Sequence, residues 1–102
     1  MINMKVFTKN TALTRHEERL TSIFQLLGDS TRYKIFKLLL SKKEFCVSEI
    51  AEQVGISVPA ASQHFRIFEL VGLVDKKRYG QMICYVLKED DNLVSNLVSF
   101  VK

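Results

Sequence analysis

Residues 57 to 71, SVPAASQHFRIFELV, constrain the fold more than any other stretch of the chain. Ser57 is suited to cap a helix, and Pro59 is tolerated in a first turn, where its missing N–H would be unpaired in any case. Phe65, Phe68 and Val71 then recur at helical spacing, so one face of the helix is apolar. Another face carries Ala60, Ser62, Gln63 and Arg66. Side chains this short let a backbone sink into a groove about 12 Å wide, and Gln and Arg present the paired donors and acceptors that suit base edges. Such a helix is expected to read the major groove of double-stranded DNA.

The preceding residues extend the pattern. Ser48 is placed to cap a brief helix containing Ile50, Ala51 and Val54, Gly55 closes it, and Gly55-Ile56-Ser57 leads straight into the reading helix. Helix, glycine turn and helix of this length form a helix-turn-helix. Further upstream, Arg15 to Leu27 predicts a helix with Leu20, Ile23, Phe24 and Leu27 on one stripe and Glu17 and Glu18 near its positive end. Gly28 stops it, and Asp29 or Ser30 caps a second helix to about Leu40, with Ile35, Phe36, Leu39 and Leu40 facing a core. Residues 1 to 13 have no clear period and are expected to form a flexible arm.

Downstream, Leu73 to Lys77 and Met82 to Leu87 read as two strands, the second alternating Ile83, Tyr85 and Leu87 against Met82, Cys84 and Val86. Arg78-Tyr79-Gly80-Gln81 is the expected hairpin tip. A last helix, from about Asp90 to Val101, carries Leu93, Val94, Leu97, Val98 and Val101. The expected fold is mainly α with a small β-hairpin: a winged helix-turn-helix over residues 14 to 102, with about five helices and a two-stranded wing.

Charge supports the same reading through its placement. The net charge is only +4, but residues 30 to 81 hold nine Lys and Arg against five Asp and Glu. Lys76-Lys77-Arg78 lies just past the reading helix, where clustered cations can neutralise phosphates, with Arg78 placed to touch the backbone or minor groove.

Other functions find less support. The chain lacks a Gly-rich phosphate loop, paired carboxylates in an apolar setting, and a nucleophile with a base at arguable spacing, so no enzymatic activity is expected. A winged helix turned protein-interaction module is the other alternative, but such a domain should have lost the basic wing and the polar groove face. No apolar run approaches the roughly 20 residues that span a bilayer, and Met1-Ile2-Asn3-Met4-Lys5 is no secretory leader, so a cytoplasmic protein without membrane partners is expected.

With its elements in this order, the chain resembles the ArsR/SmtB family of winged helix-turn-helix repressors over about residues 20 to 88. The resemblance rests on Leu27-Gly28-Asp29-Ser30-Thr31-Arg32, Glu44 through Ala51, Ser57, Ser62-Gln63-His64-Phe65, Leu70-Val71-Gly72-Leu73-Val74, Gly80 through Tyr85, and Leu87. It implies a homodimer joined through the first and last helices, and hence through Leu20, Ile23, Phe24, Leu27, Leu93, Val94, Leu97, Val98 and Val101. Two reading helices would then meet half-sites about 34 Å apart in an inverted repeat. Ser57 and Thr31 or Arg32 would anchor phosphates; Ala60, Gln63 and His64 would approach bases; Ser62 and Arg66 would contact either; and Lys76, Lys77 and Arg78 would hold the flanking backbone.

The family's sensing sites are mostly missing. Its cysteine site at the helix after residue 45 would need a second thiolate where Ser48 stands, and a lone Cys46 cannot hold a soft metal ion. Its zinc site on the last helix would need histidines, but Glu89-Asp90-Asp91 and Asn92 to Lys102 contain none. No metal or cofactor is expected, and no inducer is named. The two cysteines are too few for a disulfide scaffold and are expected as free, buried small hydrophobes. The alternative is a thiol switch, in which Phe45-Cys46-Val47 pairs with the second wing strand and brings Cys46 to Cys84.

Overall fold

Each helix of the computed structural model, which describes residues 11–102, starts at a residue whose chemistry explains the start. The expected arm falls largely on residues 1 to 10, outside the described residues. Helix α1 (Arg15–Leu27) is opened by Thr14, whose hydroxyl accepts the Glu17 N–H while the Glu17 carboxylate accepts the Thr14 N–H. Asp29 caps α2 (Ser30–Ser41) by accepting the Arg32 N–H at 3.0 Å. After β1 (Phe45–Cys46) come α3 (Val47–Val54) and the reading helix α4 (Val58–Leu70), then β2 (Val74–Tyr79), β3 (Met82–Leu87) and α5 (Asn92–Val101). Asp91 caps α5, taking the N–H groups of Leu93 and Val94.

Two starts differ from the sequence reading. Helix α3 begins directly after Cys46, so Ser48 lies inside the first turn rather than capping it. The Glu49 carboxylate instead accepts the Cys46 N–H at 2.9 Å. Helix α5 begins at Asn92, two residues after the expected point.

The two-stranded wing hairpin forms from β2 and β3 as expected, and β1 adds to the β3 side, giving a three-stranded antiparallel sheet in the order β1-β3-β2. Its tip is Gly80-Gln81, with Gly80 at φ 62°; Arg78 and Tyr79 lie within β2, opposite Ile83 and Met82. The tip is thus shorter than expected, because a two-residue turn with a left-handed glycine suits the twist of paired strands.

The stub β1 sets Phe45 opposite Tyr85 and Cys46 opposite Cys84. Cys46 and Cys84 form a disulfide, which corrects the expectation of free thiols and agrees with the alternative, in which the segment around Cys46 pairs with the second wing strand. Spacing along the chain cannot show this pairing, since the bonded residues are 38 positions apart and meet only through strand register.

The core lies between α2, α3, α4 and the sheet. Ile35, Phe36, Ile50, Ala61, Phe65, Phe68 and Leu73 are fully buried, and no polar or charged side chain among the described residues joins them. Phe65 anchors the reading helix. Its ring stacks on Tyr85 of β3 with centroids 4.3 Å apart and meets Phe68 edge-on at 6.1 Å.

Candidate nucleic-acid interface

Gly55 sets the entry to the reading helix. It holds φ 78° and ψ 38°, the left-handed conformation that ends α3, and donates its N–H to Ala51 O at 2.9 Å. Two residues later Ser57 is extended, and its Oγ accepts the Ala60 N–H at 3.2 Å. Pro59 occupies the first turn as expected.

On α4, Gln63 and Arg66 are exposed, whereas Ala60, Ser62 and His64 are half-buried. Arg66 Nη1 donates to Gln63 Oε1 at 3.4 Å, one helical turn apart, and this orients the two long side chains together. His64 is less available than Gln63. Its Nδ1 is buried without a hydrogen-bond partner, and its charge reaches Asp29 at the start of α2. The Asp29 carboxyl is held below the usual carboxylate range, chiefly by the Arg32 N–H and against some burial, with the Arg32 and His64 charges contributing.

Thr31 and Arg32 are half-buried in the first turn of α2. Arg32 Nε donates to Leu26 O at 2.7 Å, so part of this guanidinium holds the end of α1 instead of pointing into solvent.

Lys76, Lys77 and Arg78 are all exposed on β2, but they do not form one patch. Lys76 stands opposite Tyr85, whose ring stacks on α4, while Lys77 stands opposite Cys84. Side chains alternate across a strand, so Lys76 and Arg78 share the face of the sheet turned to the reading helix and Lys77 lies on the other. The outer end of the wing is tied down by a contact absent from the sequence reading: Tyr79 donates its hydroxyl to Glu44 Oε1 at 2.9 Å. That bond, with some burial and the Glu44 charge, raises the Tyr79 phenol above its ordinary value. Between wing and reading helix lies a cleft of about 260 Å³, reached by Cys46, Ser48, Val58, Ser62, Gln81 and Met82.

The terminal helices present a different apolar face from the one expected. Ile23 and Val94 are fully buried within the chain and Val98 nearly so, which removes them from any surface. Each lies on the inner edge of a stripe that, at 100° per residue, wraps past the part left outside. Phe24 is 57% exposed, and Leu20, Leu27, Leu93, Leu97 and Val101 are half-buried. Phe100, absent from the sequence reading, is 87% exposed; its place three residues after Leu97 is the signal that marks it. Among the described residues no three His, Cys, Asp or Glu side chains converge as a metal-binding group.

A left-handed glycine turn, a polar face on α4 and a cationic wing face beside it define a winged helix-turn-helix domain. The family model described as "Bacterial regulatory protein, arsR family" matches residues 29–76. The transcriptional repressor SdpR of Bacillus subtilis is 31% identical over 85 residues, covering 78% of this chain and 93% of that protein. The cadmium resistance transcriptional regulatory protein CadC of Listeria innocua is 32% identical over 68 residues, covering 67% of this chain and 57% of its own length. In structure, the homodimeric winged helix-turn-helix DNA-binding domain Mb0332 of Mycobacterium bovis superposes with a TM-score of 0.71 at 22% identity, over 89% of this chain and 85% of that one. The chain belongs to the ArsR family of bacterial regulatory proteins.

Proposed function

We propose that this protein is a sequence-specific DNA-binding repressor that acts as a homodimer on an inverted-repeat operator. The observation that carries the reading is the exposed Gln63–Arg66 pair on α4, flanked by the α4-facing cations Lys76 and Arg78 of the wing. Gln63 and Arg66 supply base-edge donors and acceptors, and Lys76 and Arg78 supply phosphate contacts. Ser57 remains a phosphate donor, because its oxygen caps the helix while its O–H can turn outward.

A dimer joined through α1 and α5 would cover the exposed rings of Phe24 and Phe100, which lie on those two helices. The homodimeric state of the Mycobacterium bovis domain and the repressor role of SdpR point the same way. A protein of this kind acts in the cytoplasm, needs no cofactor and carries no catalytic task. No helix among the described residues is long and apolar enough to cross a membrane.

Selection of bound fragments from random DNA by the purified protein, followed by footprinting, tests this reading. A palindromic motif with two protected half-sites is expected. Binding without sequence enrichment, or to a single half-site by a monomer, overturns it.

The disulfide favours a second layer, in which this repressor responds to thiol oxidation. Disulfides in a reducing cytoplasm are mostly transient and redox-sensing, and this one joins the start of the helix-turn-helix to the central strand of the wing. An oxidant such as a peroxide would accept two electrons as the Cys46 and Cys84 thiols lose two protons and form the S–S bond. Operator affinity that is equal in reduced and oxidised protein, with the bond state checked by alkylation and mass spectrometry, removes this layer.

A further inference from the structure

Arg19, in the middle of α1, reaches three other segments of the fold with one guanidinium. Nε donates to Val71 O at 3.0 Å, Nη2 donates to Gly72 O at 3.1 Å, and Nη1 donates to both Asp91 oxygens at 3.1 and 2.9 Å. Val71 is the C-cap of the reading helix, Gly72 begins the turn to the wing, and Asp91 is the N-cap of α5. Arg19 therefore hydrogen-bonds the end of α4 and the start of α5 from the middle of α1.

The chemistry of the arrangement is specific. Carbonyls at a helix C-terminus lack intrahelical donors and carry the negative end of the macrodipole, so a cation there is favoured. A planar fork with several N–H groups can serve two carbonyls and a carboxylate together, which an ammonium on a flexible stem does poorly. Gly72 fits the arrangement in two ways. It holds φ +71°, and a Cβ at that position would stand 3.1 Å from Arg19 Nη2.

Besides local turn bonds such as Leu73 N–H to Phe68 O, α4 packs through buried Ala61, Phe65 and Phe68, and apolar packing is non-directional. Hydrogen bonds at the C-cap are directional and fix an angle. With 13 residues, α4 is about 20 Å long, so a swing of roughly 10° about its C-cap moves the opposite end by about 3.4 Å. That displacement is about one base-pair step of DNA.

We propose that Arg19 is a positioning residue that sets the angle of the reading helix against the α1–α5 pair and so determines the half-site spacing the dimer accepts. This rests on the operator-reading function and the α1–α5 dimer proposed above. Arg19 itself need touch neither DNA nor the second copy.

The test measures affinity for the selected operator and for versions with one base pair inserted or removed between half-sites, using the full chain. Wild type is expected to lose about tenfold or more at either altered spacing. Arg19→Gln should bind the original operator more weakly and flatten the spacing profile to within about threefold, while keeping the base preference of each half-site. Arg19→Lys should fail to restore the profile. Asp91→Asn, which keeps an acceptor for the α5 cap, should show a smaller flattening and serves if Arg19→Gln does not fold. A variant that weakens all spacings by one common factor, or that keeps the wild-type profile, overturns the proposal while leaving the operator-reading function standing. Absence of sequence-selective binding by wild type overturns that function itself.

Discussion

Cys46 and Cys84 face each other across the antiparallel β1–β3 pair and are bonded, which fastens the residue before α3 to the middle strand of the wing. A crosslink between positions 38 residues apart restricts the unfolded chain, and bonds of this loop length stabilise by about 4 kcal/mol. The double variant Cys46→Ser, Cys84→Ser should therefore unfold at a lower urea concentration than the oxidised protein. Wild type treated with reductant should shift the same way, and identical unfolding curves with and without reductant would count against the bond's contribution.

The proposed operator reading predicts different effects for substitutions on α4 and on the wing. Gln63→Ala should relax preference at one position in each half-site at a cost of about 1 to 3 kcal/mol, measured by competition among operator variants.

The strand register predicts unequal roles for the wing cations. Lys76→Ala and Arg78→Ala should weaken all sequences alike and lower the salt dependence of binding by about one unit for each phosphate left without its cation. Lys77→Ala, on the other face, should weaken all sequences less and change the salt slope less. A Lys77 effect as large as that of Arg78 would contradict the assigned face.

Phe65 joins the reading helix to the wing through its stack on Tyr85 and is fully buried. Phe65→Ala should cost about 3 to 5 kcal/mol in denaturant unfolding, whereas an exposed neighbour such as Gln63→Ala should leave stability nearly unchanged.

Acid should loosen the chain at its helix starts. Burial alone would raise the Asp91 carboxyl, but the Val94 and Leu93 N–H groups and the Arg19 guanidinium outweigh it and hold the carboxyl below the usual range. A depressed folded-state value means the stabilisation is fully present above the ordinary carboxylate range and is lost as pH falls through the folded-state value. The thermal midpoint should be flat from neutral pH to about 5 and should fall below about 4. Asp91→Asn should reduce that fall, and an unchanged acid profile in this variant would exclude Asp91 as a contributor.

Helix starts and stops were legible because their causes are local. Asp29 accepts a hydrogen bond from a residue three positions on, and Gly55 and Ser57 act within a single turn. The apolar stripe of α4 was legible for the same reason, since Phe65 and Phe68 repeat with the helix period. The outward faces of α1 and α5 were only half legible. Periodicity marks a stripe but not which edge packs inside, so it places Ile23, Val94 and Val98 on the surface and passes over Phe100.

The amino-acid sequence by itself determined the element order, the helix-turn-helix and the polar face of α4, because propensity, capping and hydrophobic period act over a few residues. Tertiary structure alone decided which cations share the α4-facing side of the wing, that Cys46 meets Cys84, and that Arg19 binds the ends of two distant helices. Those outcomes depend on strand register and on contacts between residues 38 to 72 positions apart, which no local pattern encodes.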